Sequence, residues 1–95
     1  MTTKEKIKYF NDLFINKKGI DSQIDKLKEE CLELAEAADI YKINKSSENF
    51  ENMQSEMGDV ANLLEQVSHY FKISDDLNKT RLQKLIDRWE KYKHE

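Results

Sequence analysis

The chain has 95 residues, 38% hydrophobic and 37% charged, with a formal net charge of −3. This length bounds it to a single domain, 1–95, at a size where small helical cores often gain stability by oligomerising. The acidic balance argues against binding to nucleic-acid polymers, which needs a basic surface, and no apolar run approaches the roughly 20 residues that span a bilayer.

With no proline, and glycine only at positions 19 and 58, little interrupts helical periodicity. A first helix is expected over about 4–17, with Ile7, Phe10, Leu13 and Phe14 on one stripe. Gly19 suits its C-terminal stop, and Asp21 or Ser22 the next N-cap. The second helix should run from about Ser22 to Tyr41, gathering Ile24, Leu27, Cys31, Leu34, Ala35 and Ala38 on one side. A loop follows from Asn44 to Ser47, with a serine capping the third helix. That helix reaches about Phe71, and its stripe is Met53, Val60, Leu63, Leu64, Val67 and Phe71. Ser74 or Asp75 caps a fourth helix whose expected buried face is Leu82, Leu85, Ile86, Trp89 and Tyr92. The expected architecture is all-α and four-helix bundle-like, completed by oligomerisation.

No apolar segment of the kind found in signal peptides follows the opening Met1-Thr2-Thr3-Lys4-Glu5-Lys6, and the lone Cys31 excludes an intrachain disulfide. Both point to a cytoplasmic setting.

Two acidic groups carry the chemistry: Glu29-Glu30-x-x-Glu33 on the second helix and Glu56-x-x-Asp59 on the third. Carboxylates three or four residues apart share a helical face, so each segment offers a set of hard oxygen ligands. Glu29, Glu30, Glu33 and Glu36 fall broadly opposite the apolar side of their helix, where a solvated acidic face is the plain alternative. Glu56 differs, because it falls inside the apolar stripe with Val60, Leu63 and Val67, and Asp59 lies at the stripe's edge. No lysine or arginine follows in that helix before Lys72, which makes a cation the economical neutraliser. Glu30, Glu33, Glu56 and Asp59 together would bring a charge of about −4, suited to Mg²⁺, with Mn²⁺ as a substitute. The Glu-x-x-His element of di-iron bundles is missing: Gln66 stands three residues before His69, and Lys91 three before His94. Zinc sites rich in cysteine or histidine are absent too. On the fourth helix, Arg81, Lys84 and Arg88 form a basic stripe able to meet phosphates.

Glu-Glu-x-x-Glu followed by Glu-x-x-Asp resembles the core motif of the MazG-like, all-α nucleoside triphosphate pyrophosphohydrolases. The matching strings are KLKEECLELAEA (Lys26 to Ala37), SEMGDVANLLEQV (Ser55 to Val67) and KLIDRW (Lys84 to Trp89), over roughly residues 22 to 90. The resemblance implies that Glu30, Glu33, Glu56 and Asp59 ligate Mg²⁺ and that Glu29, with Glu33, orients or activates water. It implies hydrolysis of a ribo- or deoxyribonucleoside triphosphate to the monophosphate and pyrophosphate, by a homodimer or homotetramer. Many relatives carry an asparagine near the C-terminal basic residues, where this chain reads Arg81-Leu82-Gln83-Lys84. That departure motivates an alternative expectation, a helical module that binds a nucleotide or a partner without turnover. Phe10, Phe14 and Trp89 are expected in the core by their apolar spacing, as is Cys31, while His69 is expected at the surface.

Overall fold

In the computed structural model, which describes residues 1–95, the chain forms α1 (Thr3–Lys18), α2 (Ile20–Ile43), α3 (Ser47–Tyr70) and α4 (Ser74–Tyr92). The fold is all-α and bundle-like, as the periodicity requires. α2 and α3 share the largest contact, α1 packs on both, and α4 touches only α3. No helix is long and apolar enough to cross a membrane.

Local chemistry fixes the ends. Thr2 and Glu5 form a capping box at α1: Thr2 Oγ1 accepts from the Glu5 amide at 3.1 Å, and Glu5 Oε1 accepts from the Thr2 amide at 3.0 Å. These bonds hold the Glu5 carboxyl below its ordinary range. Gly19 alone joins α1 to α2, at φ 85° and ψ 157°, a conformation nearly closed to residues with a Cβ. α2 therefore begins at Ile20, and Asp21 and Ser22 lie inside its first turn instead of capping it. Ser46 caps α3 as expected, accepting from the Asn49 amide at 3.1 Å. α4 starts after Ile73 with no side-chain cap, so neither Ser74 nor Asp75 serves that role.

α2 and α3 meet along two seams of alternating three- and four-residue steps, the spacing that lets antiparallel helices interdigitate. On α2 the inward residues are Gln23, Leu27, Glu30, Leu34, Ala37 and Tyr41; on α3 they are Met53, Glu56, Val60, Leu63 and Val67. The α2 seam is rotated from the expected apolar stripe, so Cys31 is exposed and Glu30 faces inward. Glu30 retains only 6% of its surface.

The interior is mostly polar. Ile15, Ala37 and Leu63 are its buried apolar residues, against Asn11, Gln23, Glu30, Gln66 and Ser68. Three carboxamides tie three helices together: Gln23 Nε2 donates to Gln66 Oε1 at 2.6 Å, and Gln66 Nε2 donates to Asn11 Oδ1 at 2.9 Å. Asn11 Nδ2 in turn donates to Glu65 Oε2. His69 is half-buried, not at the surface, between Asp12 and Glu65 at 3.8 and 3.9 Å.

The apolar face expected to be buried on α4 is open: Leu82, Leu85, Ile86, Trp89 and Tyr92 are all exposed, Trp89 at 64%. Phe10 and Phe14 are likewise exposed, because α1 turns Asn11 and Ile15 inward in their place. The accessible surface is 7896 Å². A folded monomer of 11.3 kDa should present about 5,700 Å². The radius of gyration, 16.0 Å, likewise exceeds the roughly 12 Å of a compact chain this long.

Gly19 and Gly58 separate backbone need from sequence accident. A Cβ at either would meet nothing within 4 Å, so Gly58 gives no other helix of this chain a close approach. Gly19→Ala should lower unfolding free energy by about 1–3 kcal/mol, from backbone strain alone. Gly58→Ala should raise it by up to about 1 kcal/mol. Denaturant titration of both variants measures the contrast.

Candidate functional site

Glu30 and Glu33 on α2 and Glu56 on α3 converge, with one carboxylate oxygen from each lying within 4.8 Å of the others. The α2–α3 seam brings them together: Glu30 and Glu56 occupy seam positions, and Glu33 follows Glu30 on the next turn. Glu30 is buried, Glu56 half-buried and Glu33 exposed, so the group opens outward on one side. Glu30 Oε2 and Glu56 Oε2 are buried and have no hydrogen-bond partner.

One cation of the chain itself reaches the group. Lys26 Nζ stands 3.1 Å from Glu30 Oε1 and 3.4 Å from Glu29 Oε2. The bond from Lys26 holds the Glu30 carboxyl below the usual range, and Glu30 in turn raises the Lys26 ammonium. Glu33 is displaced the other way: the adjacent Glu30 carboxylate first, then burial and Glu56, makes it retain a proton to higher pH. Three acids and one half-shared lysine leave an excess of negative charge.

A cleft of about 460 Å³ adjoins the group, and Glu30 and Asp59 stand on its wall. Asp59 is exposed and lies outside the three-carboxylate group. The rest of the wall includes Ile7, Phe10 and Phe14 of α1, the lysines Lys6 and Lys26, and the hydrogen-bonded carboxamides Asn11, Gln23 and Gln66, with Asn62 beside them. Glu29 is exposed beside Lys26. Arg81, Lys84 and Arg88 belong to α4, which contributes nothing to this wall; Arg81 instead donates to Asn78 Oδ1 at 3.1 Å.

Lys26 and the three carboxamides were not singled out by motif. The register held the signal for two of them, because Gln23, Glu30 and Ala37 recur every seven residues, and Gln66 stands three beyond Leu63. No family model, curated protein or solved structure matches this chain.

Removing the charge at Glu33 tests the electrostatics directly. A carboxyl whose folded-state pKa is raised contributes stability that is full below its unfolded value and is lost as pH rises through the folded value. For Glu33 that loss begins above the ordinary 4.5. Without divalent cations, Glu33→Gln should melt higher than the parent at neutral pH, and the gap should close near about pH 4. Melting curves across that range check it; identical curves would mean the carboxylates do not repel.

Proposed function

We propose that this protein is a Mg²⁺-dependent nucleotide pyrophosphohydrolase, cleaving a ribo- or deoxyribonucleoside triphosphate to the monophosphate and pyrophosphate. The observation that carries the reading is the pair of buried, unpartnered oxygens, Glu30 Oε2 and Glu56 Oε2, converging with Glu33, with Glu30 also on the wall of a cleft. Buried carboxylate oxygens without a donor are costly, and a hard cation satisfies them better than any neutral group present. The donor set is all oxygen, which fits Mg²⁺ and admits Mn²⁺.

Glu30, Glu33 and Glu56 would hold the ion, with Asp59 joining from the cleft wall. Bound there, Mg²⁺ would neutralise phosphate charge and lower the pKa of water. Lys26, already on Glu30 and Glu29, offers a positive charge to the same phosphates. Glu29 orients the attacking water and takes its proton, and Glu33 stands ready as a second acceptor. Water adds to the α-phosphorus, the α–β anhydride bond breaks, and pyrophosphate leaves with the bridging oxygen. The neighbouring cleft has the volume for the nucleoside half of the substrate. A second reading, a module that binds a nucleotide or partner without turnover, is favoured by the absence of α4's basic residues from the cleft wall. Arg81, Lys84 and Arg88 reach substrate only if another copy of the chain supplies them.

We also infer a homo-oligomer, dimer or tetramer. The accessible surface exceeds that of a compact monomer by roughly two-fifths, an excess on the scale of an obligate interface. The open apolar face of α4 supplies the chemistry for such contact.

A panel of nucleoside and deoxynucleoside triphosphates with Mg²⁺, resolving pyrophosphate from orthophosphate, tests the activity. Pyrophosphate release is expected from at least one nucleotide. Glu56→Gln and Asp59→Asn should each reduce it by at least about a hundredfold with helicity kept; full activity in both would remove the second motif from the site. Nucleotide binding without product would favour the non-catalytic module. For assembly, light scattering at micromolar concentration should give a dimeric or tetrameric mass. Trp89→Glu should shift that mass toward the monomer, and a monomeric parent would contradict the oligomer.

A further inference from the structure

Lys26 is half exposed, with 51% of its side chain open to solvent, yet its Nζ stands 3.1 Å from Oε1 of Glu30, which keeps only 6% of its own surface. The same Nζ lies 3.4 Å from Glu29 Oε2. No other lysine or arginine forms an ion pair with Glu30, Glu33 or Glu56. Lys26 also borders the cleft beside the carboxylates and a second one shared with Lys18, Ser22 and Asp25, so its end has open space on two sides.

This placement sets Lys26 against any cation the carboxylates hold. Mg²⁺ ligated by Glu30 sits about 2 Å from one of its oxygens. Whichever oxygen that is, the ion falls within the roughly 8 Å over which charges interact at physiological salt, measured from an ammonium seated on Oε1. Two positive charges at that range repel. The buried Glu30 carboxylate is held on α2 and α3's seam, whereas the lysine has a long rotatable stem and a free path into the cleft. Lys26 is the partner that moves.

We propose that Lys26 is a displaceable counter-ion: it holds Glu30 in the metal-free chain, yields that carboxylate to a divalent cation, and turns into the cleft to donate to a phosphate oxygen. Cation binding and phosphate binding are then coupled through one side chain, the cation first and the phosphate second. Until the exchange, the same ammonium offsets charge that would otherwise push α2 and α3 apart. The inference deepens the hydrolase reading above and rests on its metal site.

An exchange of this kind gives one substitution two opposite effects. Lys26→Met keeps the apolar stem and removes the charge. Lys28→Met changes net charge equally, but residues two apart do not share a helical face, and Lys28 pairs with no carboxylate. In calorimetry with Mg²⁺ alone, Lys26→Met should bind the ion at least about fivefold more tightly than the parent, and Lys28→Met within about twofold of it. At saturating Mg²⁺, inorganic pyrophosphate should bind Lys26→Met about tenfold more weakly than the parent. A lysine that only decorates the surface moves neither constant, and one that only shapes the site weakens both; either result overturns the proposal. An equal gain in Lys28→Met, which makes the effect one of net charge, overturns it, as does pyrophosphate affinity that stays the same or rises. If Lys26→Met needs Mg²⁺ to fold, its melting midpoint must climb more steeply with Mg²⁺ than the parent's, and parallel climbs count against the proposal in the same way. Mg²⁺ bound with one constant by parent and Lys26→Met sinks this inference alone. A parent that binds no Mg²⁺ sinks the hydrolase reading with it.

Discussion

Two like charges share the seam that holds the fold together. Glu30 and Glu56 take inward positions on α2 and α3, where a leucine or valine would ordinarily interdigitate. Each keeps a buried oxygen without a partner, and Lys26 compensates on one side only. Helix pairing thus brings together charges that resist being paired. Such an arrangement gives up packing for a concentrated negative field, one that favours a cation.

The rest of the interior follows the same bias. A core with only Ile15, Ala37 and Leu63 as buried apolar residues cannot rely on area alone, so directional bonds carry specificity. The amides of Asn11, Gln23 and Gln66 connect α1, α2 and α3, fixing their rotation about their own axes more sharply than apolar contact would. That rotation sets Glu30 inward and turns Phe10 and Phe14 out to line the cleft. Site and scaffold are therefore built from one network, and altering an amide alters both.

α4 stands apart from this logic. Its apolar face is well patterned for burial, yet it meets only α3, and no side chain caps its first turn. A helix with that pattern and so little cover gains stability mainly from packing still to be supplied. In the homo-oligomer proposed above, a second copy of the chain covers it and carries Arg81, Lys84 and Arg88 along.

Much of the fold was legible in the residues. The absence of proline, the break at Gly19, the Ser46 cap and the 3.6-residue periodicity are local signals, and they gave four helices with nearly correct limits. Glu56 was readable as an inward carboxylate because Met53, three residues before it, and Val60, four after, lie on the helix's apolar stripe. Glu30 was not, since a wheel centred on Ile24, Leu27 and Cys31 places it outside, and only the partner helix decides which side of an ambiguous stripe turns in. The same applies to the ends of α2 and α4 and to the exposed rings of α1 and α4, where the sequence shows that a face is apolar but not what covers it. By itself the sequence determined the helices and the acidic groups, because both depend on residues within one turn of each other. Tertiary structure alone decided that Glu30, Glu33 and Glu56 converge while Asp59 stays on the cleft wall, and that three distant amides form one chain. Those outcomes depend on how helices rotate against one another, and buried hydrogen bonds between residues far apart in the chain set that rotation.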